Sequence, residues 1–130
     1  ILIRPIMDIR LIVIVGIGGA SGAILRYIAP TFLPNQYGIS DTMIINLLGS
    51  LFIGLLFGAI SNGLEISEET IILIGTGFLG AFTTMSTFAI ETVDLIQENT
   101  FSAILYVFIT IFGSIFLAFV GYFMATSFIS

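Results

Sequence analysis

The sequence has no cysteine, no histidine and no lysine, and its only cations are Arg4, Arg10 and Arg26. Without cysteine there is no disulfide, no thiolate nucleophile and no thiolate metal site. Without histidine as well, most general-base, nucleophile-activating and metal-ligating constellations are excluded, and an enzyme is not expected. Charge of either sign is scarce: 8% of the 130 residues are charged, against about 25% in soluble domains, whose surface must be solvated.

What remains is apolar. Hydrophobic residues make up 58% of the chain and the mean hydropathy is +1.21, so the solvent this sequence suits is a bilayer. The eight acids are Asp8, Asp41, Glu65, Glu68, Glu69, Glu91, Asp94 and Glu98, and the net charge is −5. Between the charges run four uncharged stretches, 11–25, 42–64, 70–90 and 99–130. A crossing needs about 20 mostly apolar residues. The first stretch is short unless Arg26 snorkels or faces protein; it then reaches Ala29 and stops at Pro30. The expectation is an all-α integral membrane protein, multi-pass in the cell membrane. It is a single four-helix domain over 1–130, with spans at about 9–29, 42–62, 70–95 and 100–126.

Orientation is weakly specified. Arg4 and Arg10 flank one end of the first span, Arg26 marks the other, and the later loops carry no Lys or Arg. The positive-inside bias is then at most about one charge, which leaves open a cytoplasmic N-terminus or a chain that inserts both ways up. A signal peptide competes for the first segment, but Arg26-Tyr27 ends it rather than a small-residue cleavage site. The sequence begins at Ile1; with Met7 as the natural start, residues 1–6 would be peripheral.

Helix boundaries are marked by Asp41, by Ser67-Glu68-Glu69 and by Asn99-Thr100, which put capping groups and acids at N-termini. Pro30 and Pro34 bound the first loop, and Asn62-Gly63 closes the second helix. GIGGASG, residues 16–22, imitates a dinucleotide fingerprint, but Ser21 stands at the third glycine and no strand–helix alternation follows. Gly18 and Gly22 read instead as a small-xxx-small packing face, and Gly54 and Gly58 repeat it.

Polar residues fall in stripes. Thr42, Asn46 and Ser50 are spaced by four, as are Tyr106, Thr110 and Ser114, so each set shares a helix face. Singly, each residue has a bland use: asparagine glues helices and hydroxyls bond back to their own carbonyls. Together they line a narrow path without burying a charge. Arg26 either snorkels to headgroups or gives a vestibule positive potential. The third segment carries GTGFLGAFTTMSTF, residues 75–88, whose glycines and hydroxyls point to a break in the helix. A break at membrane depth is tolerated only when buried in protein or lining a cavity, and its carbonyls can coordinate a cation. Met85 and Phe88 share a face with Thr84 and Glu91; for Phe88 the plain alternative is core or lipid packing.

Three ordered motifs, GGASGAILRY ending at Tyr27, NLLGS (46–50) and GFLGAFTTMSTF (77–88), resemble those of the Fluc/CrcB fluoride channel family over essentially the whole chain. The resemblance implies an antiparallel, dual-topology homodimer with two fluoride pores. It implies a central structural sodium ion held by backbone carbonyls of Gly80 and Thr83. Asn46 would line the pore with Thr84 and Ser86, ring edges would come from positions 85 and 88, and Tyr106, Thr110 and Ser114 would form a hydroxyl track. Arg26 and Glu91 would lie at the vestibules. Met85 departs from the family's usual phenylalanine, and a thioether offers only polarised CH groups where a ring offers an electropositive edge. The implied function is passive fluoride export that relieves toxicity. The alternative is a proton-coupled carrier of the small dual-topology type, which needs a membrane-embedded carboxylate; Glu91, its candidate, lies toward the end of its span.

Overall fold

The computed structural model describes residues 7–33 and 40–129, and no strand occurs among them. Arg4, Pro34 and the segment 1–6 lie outside the described residues. The protein is all-helical, and four helical stretches are long and apolar enough to cross a membrane: Ile9–Thr31, Asp41–Ser61, Glu68–Glu98 and Thr100–Ile129.

Local chemistry sets the ends of these stretches. Helix α1 (Ile9–Ile28) begins where the Asp8 carboxylate accepts the Arg10 backbone N–H, and it runs into a 3₁₀ turn, Ala29–Thr31, that contains Pro30. Proline fits there because the first residues of a helical turn have no N–H partner to lose. Helix α2 (Asp41–Ser61) is capped by Ser40, whose hydroxyl accepts from the N–H groups of Thr42 and Met43. Asp41 is therefore inside the first turn rather than at the cap. The helix closes at Asn62, and Gly63 takes φ +93°, a left-handed conformation that glycine adopts at no steric cost.

The third stretch is irregular. A four-residue helix α3 (Glu68–Ile71), capped by Ser67, widens into a π-helical segment, Ile72–Leu79, and one further turn, α4 (Gly80–Phe82). Thr83 (φ −80°, ψ 155°) and Thr84 (φ −149°, ψ 113°) are extended. Helix α5 (Met85–Glu98) follows, and after Asn99 the chain returns as α6 (Thr100–Ile129).

Glycine seams decide the packing. A Cβ added at Gly18 would collide with the Leu73 carbonyl, and one at Gly22 with the Phe78 carbonyl. Likewise Gly54 meets the Ala118 carbonyl and Gly58 that of Tyr122. Both pairs advance together along the chain, so α1 runs parallel to the π-helical segment and α2 runs parallel to α6. Backbones that approach this closely gain dispersion contacts, the main source of helix association where lipid removes the hydrophobic drive. The packing role expected for these four glycines is borne out. Around the seams, Ile17, Phe112, Phe116 and Phe119 face outward, which suits a lipid surround.

Candidate functional site

Two cavities meet at Thr84. The larger assembly of polar residues lines an open groove of about 430 Å³ between α2, the third stretch and α6. Of the residues singled out from the sequence, Asn46, Gly80, Thr83, Thr84, Met85, Phe88, Thr110 and Ser114 come together on its wall, joined by Ser50. Tyr106, Ser86, Arg26 and Glu91 are not part of that wall.

The groove is shaped by one side-chain amide. Asn46 Nδ2 donates to the Thr84 carbonyl at 3.1 Å, while its Oδ1 accepts the Thr84 N–H at 2.8 Å. This two-point strap takes the N–H that a continuous helix would give to the Gly80 carbonyl, so that carbonyl has no helical partner. It also leaves Asn46 with one amide N–H to offer a ligand, fewer than its chemistry alone would suggest. On the far side of the strap, Thr84 Oγ1 accepts the Thr87 N–H at 3.2 Å and starts α5. Thr83 folds its hydroxyl back onto the Leu79 carbonyl at 3.0 Å, and Ser50 does the same onto Asn46 at 2.7 Å.

Positions 85 and 88 are placed very differently. Met85 is 73% exposed at the groove rim, whereas Phe88 is 6% exposed. The Phe88 ring stacks on Tyr106 with centroids 5.2 Å apart. Thr110 is buried at 5% exposure and its Oγ1 has no hydrogen-bond partner among the described residues. A buried hydroxyl without a partner costs about 1–3 kcal/mol, and this one lies on the groove wall.

Glu91 sits in a cage of hydroxyls. Ser40 Oγ donates to it at 2.9 Å, Thr42 Oγ1 at 2.8 Å, and Tyr106 Oη completes the set. The stripe Thr42, Asn46, Ser50 is thus divided in use: its first member holds Glu91 and its second holds Thr84. Sequence reading missed Ser40 altogether, although a serine one residue before a helix is itself a capping signal.

The second cavity, about 470 Å³, lies where α1 ends and α2 begins. Arg26, Asp41, Thr42, Thr84 and Thr87 line it. Arg26 is half-buried and makes no ion pair among the described residues. Arg10, by contrast, holds Glu69 at 3.0 Å. Thr84 belongs to both cavities, so the Arg26 cavity and the groove adjoin through the strapped residue. No group of three or more acids that could hold a metal ion occurs among the described residues.

Comparison with known proteins covers the same residues. The family described as "CrcB-like protein, Camphor Resistance (CrcB)" matches residues 13–122. The chain is similar to the fluoride-specific ion channel FluC of Pyrococcus furiosus, with 40% identity over 121 residues, 92% of this chain and 98% of that one. It is similar to the protein of that name from Methanococcus aeolicus, with 42% identity over 88% of this chain and 94% of the other. A third relative of that name, from Thermosipho melanesiensis, is 38% identical over 84% of this chain and 90% of its own length.

Proposed function

The chain belongs to the CrcB-like family and is a multi-pass membrane protein; from that premise we propose that it is a fluoride-selective ion channel. It lets fluoride leave the cell passively and so relieves its toxicity. The observation that carries this reading is the open groove, whose wall holds neutral donors and no charged side chain.

The chemistry follows from the ion. Fluoride is small and strongly hydrated, so its passage requires many donors to replace water, yet none that binds too tightly for release. Arg26 at the mouth attracts the anion by its field. The remaining Asn46 N–H, the unpartnered Thr110 hydroxyl and the Ser114 hydroxyl replace its water, and the electropositive edge of Phe88 adds a weaker contact. Thr84 stands between mouth and groove, and the Ser86 hydroxyl is bonded to its hydroxyl at 3.3 Å. Tyr106 acts at one remove, by stacking on Phe88 and holding Glu91.

A groove open on one side is half a pore. In lipid its polar wall needs partners, and a second copy supplies them if it inserts the other way up, as a near-balanced arginine distribution allows. The assembly is then an antiparallel homodimer with two pores. Sodium fits between the copies: the Gly80 carbonyl lacks its helical partner, Thr83 is extended beside it, and unwound carbonyls suit this cation. Bound there, the ion would supply fixed positive potential beside the pores.

Fluoride efflux from proteoliposomes tests the reading. Fluoride is expected to leave without any proton gradient while chloride is retained. Flux that stalls until a proton or sodium gradient is applied would assign the protein to coupled carriers, with caged Glu91 as the coupling carboxylate.

A further inference from the structure

Among the described residues, one cation and one anion share a cavity and pair with nothing. Arg26 lines the mouth cavity without a salt bridge. Asp41 lines it too, and its Oδ1 is buried without a hydrogen-bond partner. Buried polar atoms are seldom left unpaired, and a buried carboxylate oxygen is the costlier kind. Asp41 is not needed as a helix cap, since Ser40 fills that role. The other charged group nearby on α5, Glu91, is already held by three hydroxyls.

We propose that Asp41 is the counter-charge of the Arg26 mouth: its carboxylate lowers the pull of Arg26 on a small anion and so sets the fluoride concentration at which the pore half-saturates. This rests on the channel reading above. A vestibule with bare Arg26 would concentrate anions strongly and release them slowly. An acid across the same cavity weakens that field without closing the path. Asp41 acts through Arg26 and is a positioning residue for charge, not a ligand of the ion.

The test is flux against fluoride concentration in proteoliposomes. Asp41→Asn is expected to lower the half-saturating concentration roughly three- to tenfold, the scale of one opposite charge removed across a small cavity. In an Arg26→Gln background the same change should do nothing, Arg26→Lys should restore its effect, and high salt should erase it by screening. No shift from Asp41→Asn, or an equal shift without Arg26, overturns the proposal. If the unmodified protein passes no fluoride, the channel reading fails instead. Thermal unfolding in low-salt detergent then reads the Arg26–Asp41 coupling alone: the two single substitutions must be less than additive in the double variant, and additive shifts overturn it.

Discussion

At the scale of single residues, the contrast between Phe88 and Met85 is the most consequential. Phe88 is buried and stacked on Tyr106, so its edge is held in a fixed place, whereas Met85 stands exposed at the rim. Phe88→Ile keeps apolar bulk but removes the ring edge and is expected to abolish fluoride flux. Met85→Leu, measured in the same efflux assay, should weaken it much less; two normally conducting variants would remove the ring edge from the mechanism. Asn46 makes a separate claim. Asn46→Ala strips the partners from both the N–H and the carbonyl of buried Thr84, at about 1–3 kcal/mol for each group left unsatisfied. Unfolding in detergent should show that loss, while Ser50→Ala, which removes one local back-bond, should fall within about 1 kcal/mol of the unmodified protein. The importance of Asn46 is legible in the sequence because a carboxamide in a span must find a partner. Its actual partner is not, since Thr84 is 38 positions away and periodicity says nothing about what a face meets. The hydroxyl cage of Glu91 escaped for the same reason.

At the scale of elements, glycine has two uses that composition does not separate. Gly18 and Gly22 are spaced by four, as are Gly54 and Gly58, and spacing of this kind announces a packing face whatever the partner. The π-helical widening over Ile72–Leu79 has no such signature. It arises where Gly77 comes against the Gly18 backbone, a contact between two spans, and glycine there lowers helix propensity without dictating which helix replaces the α form. The two uses give a paired prediction. Gly22→Ala places a methyl group against the Phe78 carbonyl and should destabilise the protein by about 1–3 kcal/mol, as overpacked interfaces do. Gly16→Ala has nothing within 4 Å of the new methyl group and should be neutral or stabilising by up to about 1 kcal/mol. Unfolding in detergent measures both, and equal costs would mean that the seam is not set by backbone approach.

At the scale of the whole molecule, the question is which way up the chain lies. Arg26 stands near one end of α1 and Arg10, preceded in the sequence by Arg4, near the other, a difference of one cation. The acids of the α5–α6 hairpin, Asp94 and Glu98, contribute little to orientation, because the bias counts Lys and Arg rather than net charge. The proposed antiparallel pair requires that neither orientation have much advantage, so that one gene product supplies both copies. The absence of cysteine makes this directly measurable. Glu65→Cys in the α2–α3 turn and Glu98→Cys at the hairpin tip both change exposed positions and leave the arginine count intact. If the chain inserts both ways, a membrane-impermeant maleimide applied to whole cells should label about half of each variant, the share an unbiased chain presents outside. Full labelling of one position with full protection of the other would fix a single orientation and exclude the antiparallel pair. Adding two lysines beside Glu65 should then convert the mixed population to one orientation and abolish flux, because the groove would lose the inverted copy that closes it. Co-expression with a chain carrying two lysines beside Glu98 should restore the flux, since these residues bias the partner the opposite way.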